Sequence, residues 1–281
     1  MSEPGNCNAA AVLTKVPAVT LGFWIIKIAA TTLGETGGDT VTMTWNFGYL
    51  VGTLIFVGPL LLLAALQIAA KKFHPFLYWA TIIASTTAGT TMADFTDRSL
   101  GIGYAGGSSI LFACVLAALA LWYLIQGSVS VRTVSTPRVE AFYWATITFS
   151  QTLGTALGDW IAAGRGEYPP GMGFGYEIGA LIFGCALAFI AILYLQTKLS
   201  RVLLFWAAFI LTRPLGATLG DLFDKPVANG GLNVSRPLAT LIIAGFIVAC
   251  IVILPQRAGR HPSTCLREAE ASLRRRQASS E

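Results

Sequence analysis

Charge is scarce in this sequence. Asp, Glu, Lys and Arg make up 12% of it, against about 25% in a soluble domain, which excludes an ordinary water-facing surface. Histidine is scarcer still: His74 and His261 are the only two, each beside a proline, so a histidine-built zinc or haem site is not expected. The five cysteines, Cys7, Cys114, Cys185, Cys250 and Cys265, show no C-x-x-C spacing and read as small packing residues. Four methionines do not make a thioether ladder for a soft metal. The chain has no H-E-x-x-H, no G-x-S-x-G and no Ser or Cys beside a base in its repeated helices, so no enzyme is expected. The N-terminus "MSEPGNCNAA" has no basic n-region, and no cleaved signal is expected.

Apolar residues fill the space that charge leaves. They are 54% of the chain, and the mean hydropathy is +0.66. Long apolar runs begin at Leu54, Ile110, Ala180 and Leu238, and with their flanks each approaches the ~20 residues of a membrane-crossing helix. The sequence therefore describes an all-α integral membrane protein with the lipid bilayer as its first partner. The net charge of +5 is concentrated toward a C-terminal tail containing Arg274–Arg276. Such a tail faces anionic lipid or fixes topology, and no nucleic acid is expected.

The chain repeats itself four times. Trp24, Trp79, Trp144 and Trp206 close the aromatic pairs "FW", "YW", "YW" and "FW". Ten residues after each stands a glycine (Gly34, Gly89, Gly154, Gly216), and fifteen after each an aspartate (Asp39, Asp94, Asp159, Asp221). A small residue precedes every aspartate, and threonine stands eight after the tryptophan in three copies: Thr32, Thr87 and Thr152. A second apolar stretch follows each motif, opened by "GYLVG", "GYAGG", "GYEIG" and the divergent "GLNVS".

The unit reads as a helix hairpin, giving eight transmembrane helices near 17–40, 46–70, 76–97, 103–126, 141–162, 173–197, 202–223 and 233–254. The boundaries fall at 1–14 (N-terminal tail), 15–72, 73–135, 136–199 and 200–255 (repeats 1 to 4) and 256–281 (basic tail). Two helices per unit make the repeats parallel, pseudo-fourfold about the membrane normal. Lys15, Lys71, Lys72, Arg132, Arg138, Lys198, Arg201 and the C-terminal arginines lie in the tails and even loops, while the odd loops and adjoining helix starts hold only Arg98, Arg165, Lys225 and Arg236. The positive-inside rule puts both termini in the cytoplasm. The tryptophans would then mark the cytoplasmic interface, and Tyr49, Tyr104 and Tyr176 the outer one.

At ~1.5 Å per residue the aspartates lie about 22 Å along their helices from the tryptophans, at one common level. Glu35 sits one turn deeper on the face of Asp39, and its counterparts Thr90, Thr155 and Ala217 show that the repeat does not demand an acid there. A charge at mid-membrane costs ~3 kcal/mol, so five carboxylates need a cation among them. Lys27 and Arg213, the latter at the position of Thr31, Thr86 and Gln151, leave the acids in excess. Oxygen ligands suit hard divalent ions. Asp97, Asp224 and Glu177 read as rim residues, since helix ends host charge cheaply.

At "TTLGETGGD", "GTTMADF", "TLGTALGDW" and "TRPLGATLGD" the sequence resembles a family of multi-pass bacterial inner-membrane proteins that carry the general label "membrane-anchored protein". The resemblance implies repeated hairpins with an intramembrane acidic motif and a link to metal-ion homeostasis. The function expected is a transporter for a divalent metal cation, with manganese favoured and export the expected direction. Glu35, Asp39, Asp94, Asp159 and Asp221 would hold the ion, supported by Thr32, Thr87, Thr152, Lys27 and Arg213. Buried carboxylates also make proton coupling natural. The ion is cargo, no resident cofactor is expected, and a homo-oligomer is left open. The alternative is a scaffold or accessory subunit whose acidic motifs lock the helices together.

Overall fold

The computed structural model of the protein describes residues 13–227 and 230–260; Cys7, Cys265, His261 and the 274–276 arginine run lie outside them. Eight α-helices carry the fold: α1 (Leu21–Asp39), α2 (Gly48–Ala69), α3 (Pro75–Asp94), α4 (Gly103–Gln126), α5 (Pro137–Ala162), α6 (Tyr176–Gln196), α7 (Arg201–Asp224) and α8 (Arg236–Ile253). Proline in the first turn starts α3, α5 and α8, where its missing N–H costs nothing. The hydroxyls of Thr20 and Ser200 cap α1 and α7 by accepting from Phe23 and Leu203. Past their aspartates α1 and α3 each run on through a π-helical turn, Thr40–Thr44 and Phe95–Ser99.

The four odd helices close a ring: α1 packs on α3, α3 on α5, α5 on α7, and α7 on α1. The sequence expected each even helix to fold back on its own hairpin partner. Instead α2 covers α3, α4 covers α5, α6 covers α7, and α8 closes the circle on α1. Each repeat thus lends its second helix to the next one. At the seam an unforeseen antiparallel pair, β1 (Leu13–Pro17) with β2 (Ala258–Arg260), ties the segment before α1 to the segment after α8.

The repeated glycine is the device that lets the ring close. A Cβ at Gly34 would fall on Thr86, one at Gly89 within 2.9 Å of Gln151, one at Gly154 on Arg213, and one at Gly216 on Thr31. In each case the residue seven after one tryptophan sits against the glycine ten after another, all the way round. One turn on, Gly38 receives Thr90, Gly158 receives Ala217, and Gly220 receives Glu35. Small residues at such contacts bring backbones close, as in other membrane helix pairs. The G-Y-x-x-G motif has a comparable reason. Its first glycine takes a left-handed φ (+74, +77 and +79 at Gly48, Gly103 and Gly175), which only glycine adopts freely. Its second, at Gly52, Gly107 and Gly179, makes room for Thr42, Asp97 and Thr218.

The ring inverts the usual distribution of polarity. Its inner faces carry buried threonines, serines and charges, while α2, α4, α6 and α8 bury only 11%, 17%, 11% and 22% of their most apolar stretches. A helix that is apolar all round yet uncovered by protein is built to face lipid. Five helices, α2, α4, α6, α7 and α8, are long and apolar enough to cross a membrane, and the chain is a membrane protein. The other three carry the motif's threonines and charges and are sheltered by the even helices.

The tryptophan end is closed by aromatic packing rather than lined by an interfacial belt. Phe23, Tyr78, Tyr143 and Phe205 meet there, with Trp79, Trp144 and Trp206 buried beside them and the hydroxyls of Tyr78 and Tyr143 sharing a 2.6 Å hydrogen bond. Trp122 of α4 fits between Tyr143 and Trp206.

If glycine is what closes the ring, Gly154→Ala should lower stability by about 1–3 kcal/mol through overpacking. Gly58→Ala, where an added Cβ meets nothing within 4 Å, should leave it unchanged or raise it by up to ~1 kcal/mol. Thermal unfolding of the two variants in detergent compares them directly.

Candidate functional site

The repeat offset converts sequence position into depth along the ring. Four residues, one helical turn, separate successive tiers. Lys27 lies with Ile82, Ile147 and Phe209 nearest the aromatic end; then come Thr31, Thr86, Gln151 and Arg213; then Glu35, Thr90, Thr155 and Ala217; then Asp39, Asp94, Asp159 and Asp221. All five candidate acids are buried, at 1–4% exposure.

The structure does not gather them into one cluster. Glu35, Asp39 and Asp221 each place a carboxylate oxygen within 4.8 Å of the other two. Asp94 and Asp159 stand outside this trio and share a cation: Arg98 lies 2.9 Å from Asp94 and 3.3 Å from Asp159. Asp39 and Asp221 share another, Lys225, at 3.1 and 2.9 Å. Arg236, at the start of α8, pairs with Asp224 at 2.8 Å and lies 3.7 Å from Asp39.

By sequence position Arg98, Lys225 and Arg236 are charges of the odd loops and an adjoining helix start that bear on orientation; in the structure all three turn inward onto aspartates. The signal was there. Arg98 and Lys225 both lie nineteen residues after their tryptophans, where repeats 1 and 3 have Met43 and Ala163. One turn beyond an aspartate, on the same face, a basic residue meets it at i,i+4, as these two do. Repeats 2 and 4 supply the cations, and repeats 3 and 1 supply the second acid of each pair.

Arg213 is fully buried, and its Nη2 has three acceptors within hydrogen-bonding distance, Glu35 at 2.9 Å, Thr90 at 2.6 Å and Thr155 at 2.5 Å, to share its two hydrogens. One guanidinium nitrogen therefore ties α7 to α1, α3 and α5. Lys27 does not reach an interface: it is fully buried, donates to Gln151 Oε1 at 3.3 Å and lies 4.2 Å from the Phe209 ring centre. Thr32, Thr87 and Thr152 donate to carbonyls of their own helices, Ile28, Ile83 and Thr148. Thr90 and Thr155, one tier from the aspartates, are the threonines that touch the charges.

Two further sets of residues depart from expectation. Asp97 and Asp224, read as rim residues, are buried at 1% and 7% exposure. Both oxygens of Asp97 lack a hydrogen-bond partner beside Gly107. Tyr104 and Tyr176 are buried, and Tyr49 and Tyr104 flank the Arg98 guanidinium at 5.8 and 5.7 Å, where aromatic faces favour a cation. Glu177 is exposed, as its position suggested.

Chemically, the aspartate end holds carboxylates bridged by tethered cations, with acceptor capacity left over. Asp39 Oδ1 and Asp94 Oδ2 are buried without a hydrogen-bond partner. Lys225 and Arg98 keep 12% and 27% of their side chains exposed, so both lie at the mouth of the ring rather than in its depth. The recess beside β1, lined by Pro17, Thr20, Leu254 and Arg257 among others, lies at the other end of α1 and touches none of these acids.

Residues 22–73, 77–128, 142–200 and 204–256 each match the family described as Repeat of Unknown Function (DUF347). No curated protein and no solved structure matches the chain.

Removing Glu35's charge strands the Arg213 guanidinium, so Glu35→Gln should destabilise the protein by about 3–5 kcal/mol. Adding Arg213→Met should restore most of that, because the pair is then gone from both sides. Thermal unfolding of the single variants and the double in detergent measures the coupling; a double variant no better than the sum of its singles would refute the pairing.

Proposed function

The chain belongs to the Repeat of Unknown Function (DUF347) family, and from its buried carboxylates we propose that it transports a divalent metal cation across a membrane. The observation that carries this reading is the convergence of Glu35, Asp39 and Asp221 from α1 and α7, with oxygens within 4.8 Å of one another; Asp39 also has an oxygen, Oδ1, without a hydrogen-bond partner. Three anionic oxygens suit a hard ion, and manganese is favoured over softer metals.

In this reading the tethered cations hold the site closed between loads. Lys225 occupies the space between Asp39 and Asp221. A divalent ion arriving from either side brings twice its charge, takes over both aspartates and releases the lysine toward the mouth. Glu35, held from below by Arg213, supplies the third ligand. Protons compete for the same carboxylates, which makes proton coupling the natural source of drive.

All eight helices span the bilayer, with the repeats arranged pseudo-fourfold about the membrane normal. Both termini face the cytoplasm by the distribution of basic residues in the loops, which puts the aspartates at the outer face of a bacterial inner membrane. Export is the direction proposed. No enzymatic step is assigned to the chain.

One observation favours a second reading. Each of the four repeated aspartates already has a basic partner, as a scaffold with a purely structural lock would require. Cellular metal content separates the two. A strain lacking the protein should accumulate manganese under manganese load. Wild type should restore the normal level, while Asp39→Asn and Asp221→Asn, present in membranes at wild-type abundance, should not. Identical manganese, magnesium, cobalt and zinc contents in all strains would end the transport reading in favour of the lock.

A further inference from the structure

Below the carboxylates the ring holds a second set of charges with the opposite bias. Lys27 is fully buried and, among the described residues, lies within ion-pair distance of no acid. Its ammonium is held by one amide oxygen and one aromatic face. Arg213, equally buried, engages its neighbours through Nη2, while its Nε and Nη1 have no partner.

Three helices place these two cations one turn apart. Lys27 bonds Gln151, and Arg213 bonds Thr155, four residues further along α5. Lys27 lies over Phe209, four residues before Arg213 on α7. On α1, Thr31 follows Lys27 by four and donates to the carbonyl of Thr212, the residue before Arg213.

The unsatisfied atoms of these tiers can all donate a hydrogen bond. Because Gln151 Oε1 accepts from Lys27, its amide Nε2 is the free end, and it has no partner. Arg213 Nε and Nη1 are pure donors, and the Thr86 hydroxyl of the same tier also lacks a partner. Buried donors left unmatched are costly, and a protonated Lys27 with Arg213 against Glu35 alone leaves this section of the ring one positive charge in excess, which an anion would offset. A second metal would worsen both deficits, whereas a small acceptor with one negative charge answers both.

We propose that the protein binds a small monovalent anion of halide size between Lys27 and Arg213, received by Gln151 Nε2 and the free guanidinium nitrogens. The site lies on the aromatic side of Glu35 and is independent of the metal reading. Its charge complements that of the carboxylate tier, so the ring carries an anion site and an acid site stacked along one axis with Arg213 shared between them.

Two measurements on purified protein in detergent, with divalent ions removed by chelator, test it. Equilibrium binding of radiolabelled chloride to wild type should approach one ion per chain. Thermal unfolding should move upward by about 5 °C at saturating chloride or bromide relative to gluconate at equal ionic strength. The rise should be lost in Lys27→Met and in Gln151→Leu and retained in Lys27→Arg. Substoichiometric chloride binding by wild type overturns the proposal, as does an equal anion response in wild type and Gln151→Leu; water or a neutral lysine would then fill these tiers. Because no metal is present, failure of the transport reading leaves both measurements unaffected.

Discussion

Everything in this structure depends on how closely four helices approach around one axis. A bilayer offers little to hold apolar helices together, so association rests on packing and on polar contacts. Here the glycine ten residues after each tryptophan takes a side chain from a neighbouring repeat, and that register is repeated four times. Once the helices are that close, whatever stands seven, eleven and fifteen residues after the tryptophans is forced to the inside. The polar interior is a consequence of the backbone contact, and the acids within it must find partners or ligands because burial leaves them almost no contact with solvent.

The partners come from an alternation that the repeat itself hides. Four copies of an aspartate would repel one another, but cations in copies 2 and 4 alone, Arg98 and Lys225, bridge to copies 3 and 1. The glycine contact recurs at all four neighbouring helix pairs, whereas the bridging cation recurs at two. Glu35 and Arg213 break even that, since each appears in one copy only. The single-copy residues are where the helices on every side are tied together: Arg213 touches α1, α3 and α5 through one nitrogen.

Much of this was legible in the chain. Eight helices, their limits to within a few residues, the fourfold repeat and the inward face of the motif all follow from tryptophan, glycine and aspartate spacing. What could not be read was partnership. Hydropathy shows that α2 is apolar but not that it lies on α3 instead of α1, because a lipid-facing helix has no pattern of its own to name its neighbour. Arg98 and Lys225 were misplaced for a different reason. They sit just past the apolar stretch, where charge is cheap, and only their i,i+4 relation to the aspartates betrays that the helical face continues inward. The tyrosines of G-Y-x-x-G have the composition of an interfacial belt, yet Tyr104 and Tyr176 are drawn inside by the same turn geometry that the flanking glycines impose.

The handing-on of each second helix to the next repeat bears on how many units the ring needs. In a chain of two such units, the last helix would find no first helix of its own to lie on, and its own first helix would lie bare. Two copies would cure both defects by exchanging those helices, giving an interlocked dimer in which neither subunit is complete alone. The present chain closes the same circle within one polypeptide, with α8 returning to α1 and the β1–β2 pair fastening the seam.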